Sequence, residues 1–182
     1  MSKNNPVNSI KKSLNLSPHP EGGYYRQTFL DQKENCDGRS ISSIIYFLLE
    51  YDNHSHWHRI DATEAWFWHK GAPLALTISP DGCSATSVHL GSDIFSNQKP
   101  HFVVPSNVWQ TAETLGEWTL VSCMVSPSFS FDTFELAPET ETSVFPIVLG
   151  SPLSSFFQVS PPSIDLYMPL PDPPLLICHG LR

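Results

Sequence analysis

Short runs of strand-forming residues, separated by turn residues, follow one another through most of this 182-residue chain. In the clearest run, residues 40–49, apolar side chains occupy both alternating faces, as expected for a central strand. Turn signals such as Pro80-Asp81-Gly82 separate the runs. The other runs lie at 24–29, 73–79, 83–90, 102–104, 108–111 and 118–125. The pattern predicts roughly eight or nine short strands in an antiparallel sandwich or barrel, an all-β fold.

The two ends of the chain depart from this pattern. Residues 7–16 have the spacing of a short amphipathic helix that ends before Pro18. Residues 142–182 contain eight of the 17 prolines and three charged residues, which suits neither a sheet nor a typical disordered tail. We therefore predict a barrel domain at 1–140 and an irregular Pro-rich tail at 141–182. The tail either covers a barrel edge or partner surface, is poorly ordered, or reflects unusual splicing or a gene-model artefact.

Charge and cysteine content limit the classes of partner. The chain has 18 acidic and 10 basic residues, a net charge of −8, which argues against nucleic acid or an anionic membrane surface as a partner. The four cysteines show no paired spacing typical of a zinc knuckle or disulfide framework. No signal peptide or long apolar segment is evident. We expect a cytoplasmic protein with free thiols.

The chemistry of the chain is concentrated between His54 and Gly71. His54, His56 and His58 are spaced two residues apart, which in an extended strand directs them to one face. Glu64 follows after a distance that would allow a hairpin to return its carboxylate to the imidazoles. Gly71, which tolerates a positive φ, ends the return strand. The spacing predicts a metal or substrate site, although histidines at a solvated strand end would produce the same pattern.

Residues around this stretch have both functional and structural interpretations. Trp66 shares a strand face with Glu64, where it would either desolvate the carboxylate and bind a ring or pack in the core. Arg26 either faces solvent or pairs with a carboxylate or an anionic ligand. Gln110 offers hydrogen bonds to a substrate but is a weak metal ligand. Cys123 is better explained as a buried packing residue than as a nucleophile.

Several of these residues together resemble the cupin superfamily. His56-x-His58, Glu64 and Gly71 are similar to its first motif, and Pro105-x-Asn107-x-x-Gln110 is similar to its second. The chain more closely resembles a single-domain cupin family of unknown function, akin in fold to dTDP-4-dehydrorhamnose 3,5-epimerases. That resemblance covers about residues 6–140. It rests on the segments at 18–26 (Pro-His-Pro-Glu-Gly-Gly-Tyr-Tyr-Arg), 43–48, 58–59, 64–66, 104–105, 109–110 and 131–137.

The resemblance implies a cupin jelly-roll β-barrel (double-stranded β-helix), a central pocket and a homodimer. His58 and Glu64 fall on motif positions for metal or substrate binding, and Gln110 replaces the second-motif histidine. This replacement and the long spacing from His58 to Glu64 weaken the metal prediction. The cofactor is therefore either one divalent ion (Zn, Mn, Fe or Ni) held by His56, His58, Glu64 and Gln110, or none, with His58 and Glu64 as acid and base.

Two functions follow from this resemblance. One is an isomerase- or epimerase-like enzyme acting on a sugar or nucleotide sugar, with His58 and Glu64 as catalytic residues. The other is a non-catalytic protein that binds a small molecule in the barrel pocket. A third hypothesis, an interaction module that docks a partner through the tail, needs no pocket chemistry. The predicted substrate-binding residues of the pocket are Tyr24, Arg26, Tyr46, Trp66 and Gln110.

Overall fold

The structure, a computed structural model, describes residues 6–138 and consists of one short helix followed by β-strands. The predicted Pro-rich tail from residue 141 onward lies outside the described residues. The elements, in chain order, are α1 (Pro6–Leu14), β1 (Ser17–Pro18), β2 (Tyr24–Leu30), β3 (Ser43–Glu50), β4 (His54–Arg59), β5 (Thr63–Gly71), β6 (Leu74–Ser79), β7 (Thr86–Leu90), β8 (His101–Val104), β9 (Trp109–Thr114), β10 (Trp118–Ser126) and β11 (Glu135–Leu136).

The strands form two antiparallel sheets that pack as a jelly-roll barrel. The six-stranded sheet has the order β1-β2-β3-β10-β5-β8, and the five-stranded sheet has the order β11-β4-β9-β6-β7. No helix among residues 6–138 is long and apolar enough to span a membrane. The prediction of an all-β fold with a short N-terminal helix is confirmed.

The core lies between the two sheets because each sheet turns its apolar face inward. β3 is central, as its two apolar faces predict, with Phe47, Leu48 and Leu49 all buried. The main core cluster consists of Phe47, Leu49, Trp66, Leu74, Leu76, Leu90, Val104, Ala112, Val121 and Cys123. A second cluster of Ile60, Ala62 and Val125 packs against Phe129 and Phe134.

The helix α1 is held against the six-stranded sheet by its lysine. Lys11 Nζ lies 2.8 Å from Glu50 Oε1 and 3.5 Å from the centroid of the Tyr24 ring. Because Tyr24 contacts a helix lysine, its ring packs beside α1 rather than between the sheets.

Two expectations for the His54–Gly71 stretch are wrong. β4 and β5 belong to different sheets, so they do not form a hairpin. The three histidines also do not share a face. The pairing of β4 with β9 shifts register between Ser55 and His58, which places an irregularity there. His54 and His56 are therefore exposed while His58 is buried.

Two turn positions have a positive φ. Gly71, predicted to tolerate one, has φ of 101°, and Asn107 adopts a left-handed conformation with φ of 61°. A Cβ on Gly71 would lie 2.3 Å from the Trp118 carbonyl oxygen. Gly71 is therefore required both for its dihedral angle and for the close approach of the neighbouring strand.

We predict that Gly71→Ala destabilises the fold by about 1–3 kcal/mol more than Gly38→Ala, because the added methyl group meets backbone. Gly38 is the matched control, since its φ is 76° but a Cβ there would meet nothing within 4 Å. Urea denaturation of both variants measures the difference. Equal losses of stability would show that the approach to Trp118 adds nothing to the dihedral strain.

Candidate functional site

A cavity of about 230 Å³ lies between the two sheets. Its wall combines titratable and polar side chains with aromatic and aliphatic ones. The polar residues are His19, Glu21, Gln27, Ser43, His58 and Glu64, and the aromatic residues are Tyr25, Phe47, Phe129 and Phe131. An enclosed, largely apolar space with a few converging polar groups is the usual form of a small-molecule site.

The turn between β1 and β2 supplies His19 and Glu21. Gly22, with φ of 106°, allows the backbone to approach the His54 carbonyl, where a Cβ would lie 2.3 Å from that oxygen. The His56 amide donates a hydrogen bond of 2.7 Å to the Glu21 carbonyl. The turn is thereby fixed against β4, and the Glu21 side chain lies inside the barrel with 6% of its surface exposed.

The Glu21 carboxyl lies between two imidazoles. Its Oε2 is 3.5 Å from both His19 Nδ1 and His58 Nε2, and its Oε1 accepts a hydrogen bond of 2.9 Å from Ser55 Oγ. Burial raises the pKa of Glu21 to about 8, although the Ser55 hydroxyl opposes this shift. The carboxyl is therefore mostly protonated near neutral pH, and its contacts to the imidazoles join neutral groups.

His58 is held in one tautomer. Its Nδ1 lies 2.8 Å from the His56 carbonyl oxygen, which can only accept, so Nδ1 carries the proton and Nε2 has a free lone pair. Burial lowers the pKa of His58, although the Glu64 carboxyl opposes this. His19 is also neutral, because burial and the neighbouring His58 lower its pKa to about 4. His58 Nε2 is therefore a potential base.

Glu64 enters the cavity from β5, on the sheet opposite His58. Gln110 Nε2 donates to Glu64 Oε2 at 2.5 Å, and Gln110 Oε1 accepts from Trp66 Nε1 at 3.0 Å. The indole can only donate, so this chain fixes which end of the Gln110 amide faces Glu64. Burial raises the pKa of Glu64 to about 7, while His58 opposes the rise. The Cys123 thiol also hydrogen-bonds to Glu64, and burial raises its pKa.

The structure brings some of the predicted site residues together and leaves others outside. His58 and Glu64 line the cavity, and Gln110 and Trp66 are buried behind Glu64. Arg26 is exposed and donates to the Leu14 carbonyl. The remaining predicted residues, Tyr24, Tyr46 and His56, also do not line the cavity. Tyr46 instead lies near His69, with 6.3 Å between their ring centroids.

The sequence interpretation missed His19, Glu21, Tyr25 and Gln27. The first two belong to a Pro/Gly-rich turn, which gives no periodicity from which to assign a direction. Tyr25 and Gln27 alternate along β2 with the chosen Tyr24 and Arg26. Neighbouring residues of a strand lie on opposite faces. The mixed polarity of β2 does not indicate which of its two faces lies inward, so the sequence could not distinguish Tyr25 and Gln27 from Tyr24 and Arg26.

The predicted metal ligands do not fit a metal. His56 is exposed and lies outside the cavity, and both ends of the Gln110 amide are already engaged with Glu64 and Trp66. Within residues 6–138, no group of three or more His, Cys, Asp or Glu side chains is arranged to hold a metal ion. The arrangement fits proton transfer between neutral imidazoles and protonated carboxyls.

Two antiparallel sheets around a central cavity define a cupin barrel. A family model described as cupin superfamily (DUF985) matches residues 8–137, and the chain belongs to this family. No curated protein matches the chain by sequence.

Solved structures agree with this assignment. A protein from Shewanella oneidensis is 34% identical, with a TM-score of 0.73 over 76% of this chain and 89% of its own. A hypothetical protein from Leishmania major is 28% identical, with a TM-score of 0.68 over 74% of this chain and 88% of its own. Oxalate decarboxylase from Bacillus subtilis is 13% identical, with a TM-score of 0.50 over 65% of this chain and 29% of its own, so it supports the fold alone.

We predict that Gln110→Met destabilises the protein by about 1–3 kcal/mol, because the buried Trp66 Nε1 loses its acceptor. The pKa of Glu64 also rises further, because the Gln110 amide that stabilises its charged form is lost. Urea denaturation measures the first effect, with the exposed Gln32→Met as control. A Gln110→Met variant as stable as the control would contradict the role of this hydrogen-bond chain.

A second prediction concerns the dependence of stability on pH. Folding raises the pKa of Glu21 from 4.5 to about 8, so folding favours the protonated form. Its stabilising contribution is complete below pH 4.5 and is lost as pH rises toward 8, by up to about 1.4 kcal/mol per pH unit. Glu21→Gln, which stays neutral, should flatten this slope in denaturation curves across that range. The exposed Glu117→Gln should retain the wild-type slope.

Proposed function

We propose that this cupin binds a small polar metabolite in its central cavity and transfers a proton on it, as a sugar or nucleotide-sugar isomerase or epimerase does. The observation that carries the proposal is the placement of a neutral imidazole and a protonatable carboxyl on opposite walls of one enclosed space. His58 Nε2 reaches the cavity from one sheet and Glu64 from the other.

The proposed reaction is inversion or isomerisation next to a carbonyl group. His58 Nε2 accepts the proton from the carbon, the electron pair of that C–H bond forms a C=C bond, and the π electron pair of the carbonyl moves onto its oxygen to give an enolate. Glu64, in its protonated form, donates its proton to that oxygen. Return of the protons to a different face or carbon gives the product and restores both groups. A pKa of about 7 suits Glu64 to this task, because acid–base catalysis is most effective when the pKa is near the working pH.

The size of the cavity limits what enters it. Its volume of about 230 Å³ is below the ~300–1,000 Å³ usual for drug-sized ligands. A single ring therefore suits the cavity, and the nucleotide of a nucleotide sugar would remain outside. The resemblance to dTDP-4-dehydrorhamnose 3,5-epimerases supports the same type of reaction.

The alternative is a binding protein without catalysis. It is favoured by the hydrogen bonds that Glu64 makes with Gln110 and Cys123, because a carboxyl committed to buried partners is less available to a substrate. The aromatic wall would retain a ring in either case. The homodimer and the cytoplasmic location stay predictions.

We predict that the protein catalyses exchange of a substrate C–H proton with solvent and that His58→Ala abolishes it, because the base is lost. The test incubates aldoses, ketoses and 4-keto nucleotide sugars with the protein in D2O and follows loss of C–H signals by NMR. His56→Ala is the matched control, since His56 is exposed on the same strand.

The outcomes separate the two functions. Exchange that survives in His58→Ala would remove His58 from the base role. Binding without exchange in the wild-type protein, weakened by His58→Ala, would favour the non-catalytic alternative. Identical behaviour of wild type and His58→Ala in both assays would remove the cavity from the function.

A further inference from the structure

The wall of the cavity contains two acids but none of the described Lys or Arg side chains. Glu21 and Glu64 are 6% and 7% exposed, and no Lys or Arg between residues 6 and 138 lines the space. Both histidines of the wall, His19 and His58, have pKa values lowered by burial and are neutral near pH 7. Above pH 7 the charge of this cavity therefore ranges from neutral to negative and does not become positive.

The rest of the wall suits a positive charge. Tyr25, Phe47, Phe129 and Phe131 line the cavity together with the imidazole of His19. Aromatic rings attract cations through their quadrupole, and the attraction is strongest where water is excluded. Rings of this kind beside a carboxyl form the usual surroundings of a bound organic ammonium ion.

An anionic ligand would meet the opposite conditions. A phosphate or carboxylate in the cavity would lie near two carboxyl groups and would have no Lys or Arg partner among the described residues. Arg26, which the sequence offered for an anionic group, lies outside the cavity. An uncharged ligand would be neither attracted nor repelled by charged carboxylates, so the informative comparison is between a cation and its uncharged isostere.

We propose that the ligand of this cavity carries a positive charge, as a small organic ammonium ion, and that Glu21 is its counterion. The proposal rests on the proposed function, since it names the charge class of the metabolite held by the same cavity. The ammonium group contacts the Glu21 carboxylate and the aromatic rings, and the remainder of the ligand faces His58 and Glu64.

Binding of a cation is coupled to release of the proton from Glu21. Without ligand, burial raises the pKa of Glu21 to about 8, so its carboxyl carries a proton at lower pH. A cation favours the ionised form, so its affinity rises with pH until Glu21 is ionised without the ligand. Affinity for an uncharged ligand lacks this dependence.

The titratable groups around the two carboxyls do not reverse the rise of cation affinity with pH. Glu21 faces His19 on its own turn, Ser55 and His58 on β4, and the Glu64 carboxyl on β5. The pKa values of both imidazoles are lowered, so both are already neutral at pH 7 and their charge does not change above it. Glu64 also faces Gln110 on β9 and the Cys123 thiol on β10, whose pKa is raised well above its usual value. The Tyr25 phenol lines the same cavity from β2.

The experiment uses the full chain and three probes of one shape. Choline is the cation, 3,3-dimethyl-1-butanol is its uncharged carbon isostere, and 3,3-dimethylbutyrate is the anion. Calorimetric titrations at pH 6 and pH 9 are expected to show choline binding that strengthens roughly 100-fold, the factor for ionising one carboxyl with the cited pKa of about 8. The alcohol should bind equally at both pH values, and the anion should bind more weakly than the alcohol.

Variants connect the effect to the cavity. Glu21→Gln should remove most of the pH dependence of choline binding. Glu117→Gln, an exposed acid outside the cavity, should behave as wild type. Thermal unfolding of each variant confirms that it is folded before titration.

The results distinguish this proposal from the proposed function. Choline that binds no more tightly than the alcohol at pH 9, including no binding of either, overturns the charge assignment. If a keto sugar still shows proton exchange that depends on His58, the proposed function stands without the charge assignment. If choline binds as expected but no ligand shows such exchange, the charge assignment stands and the function is that of a binding protein.

Discussion

The hydrogen-bond chain from Trp66 through Gln110 to Glu64 is the interaction on which the site depends. Trp66 and Glu64 lie two residues apart on β5 and therefore on one face, while Gln110 lies on β9 of the other sheet. The chain crosses the interior and satisfies three buried polar groups at once. Without it, the Glu64 carboxyl would have fewer fixed partners in an apolar space, which is costly for any polar group.

The turn that carries Glu21 provides the second half of the site by a different means. It belongs to no regular strand and is fixed by hydrogen bonds to β4 and by a glycine that permits close backbone contact. Glu21 and His58 thus reach the cavity from one side and Glu64 from the other. The titratable groups of the cavity come from three separate segments, which explains why no short motif in the sequence contains the whole site.

Much of the fold could be predicted because its signals are local. Alternating apolar residues and turn residues marked the strands, and Gly71 marked a position with positive φ. His58 and Glu64, which fall on motif positions, are both buried and line the cavity. These features depend on properties of neighbouring residues, which a single sequence records.

The remaining features depend on pairing across the barrel. The irregularity in β4 turns His58 away from His56, and it is visible only in the register with β9. Between β4 and β5, over residues 60–62, the chain crosses from the five-stranded sheet to the six-stranded sheet. A hairpin within one sheet would have fitted the same sequence spacing. On β2 the residues that face the cavity are Tyr25 and Gln27. Because polar and apolar residues are mixed on both faces of this strand, the sequence does not indicate which face lies inward.

The two sheets carry His58 and Glu64 on opposite walls, and the rings of Phe47 and Trp66 project from the six-stranded sheet into the core with their centroids 5.8 Å apart. The separation of the walls is therefore set by hydrophobic packing, while proton affinity within the cavity is set by how closely the walls exclude water. A change of volume in the core, at a residue with no acid–base chemistry of its own, would alter the proton affinity of the site. In this barrel the packing of the aliphatic and aromatic core therefore helps to set the pKa values of the titratable groups in the cavity.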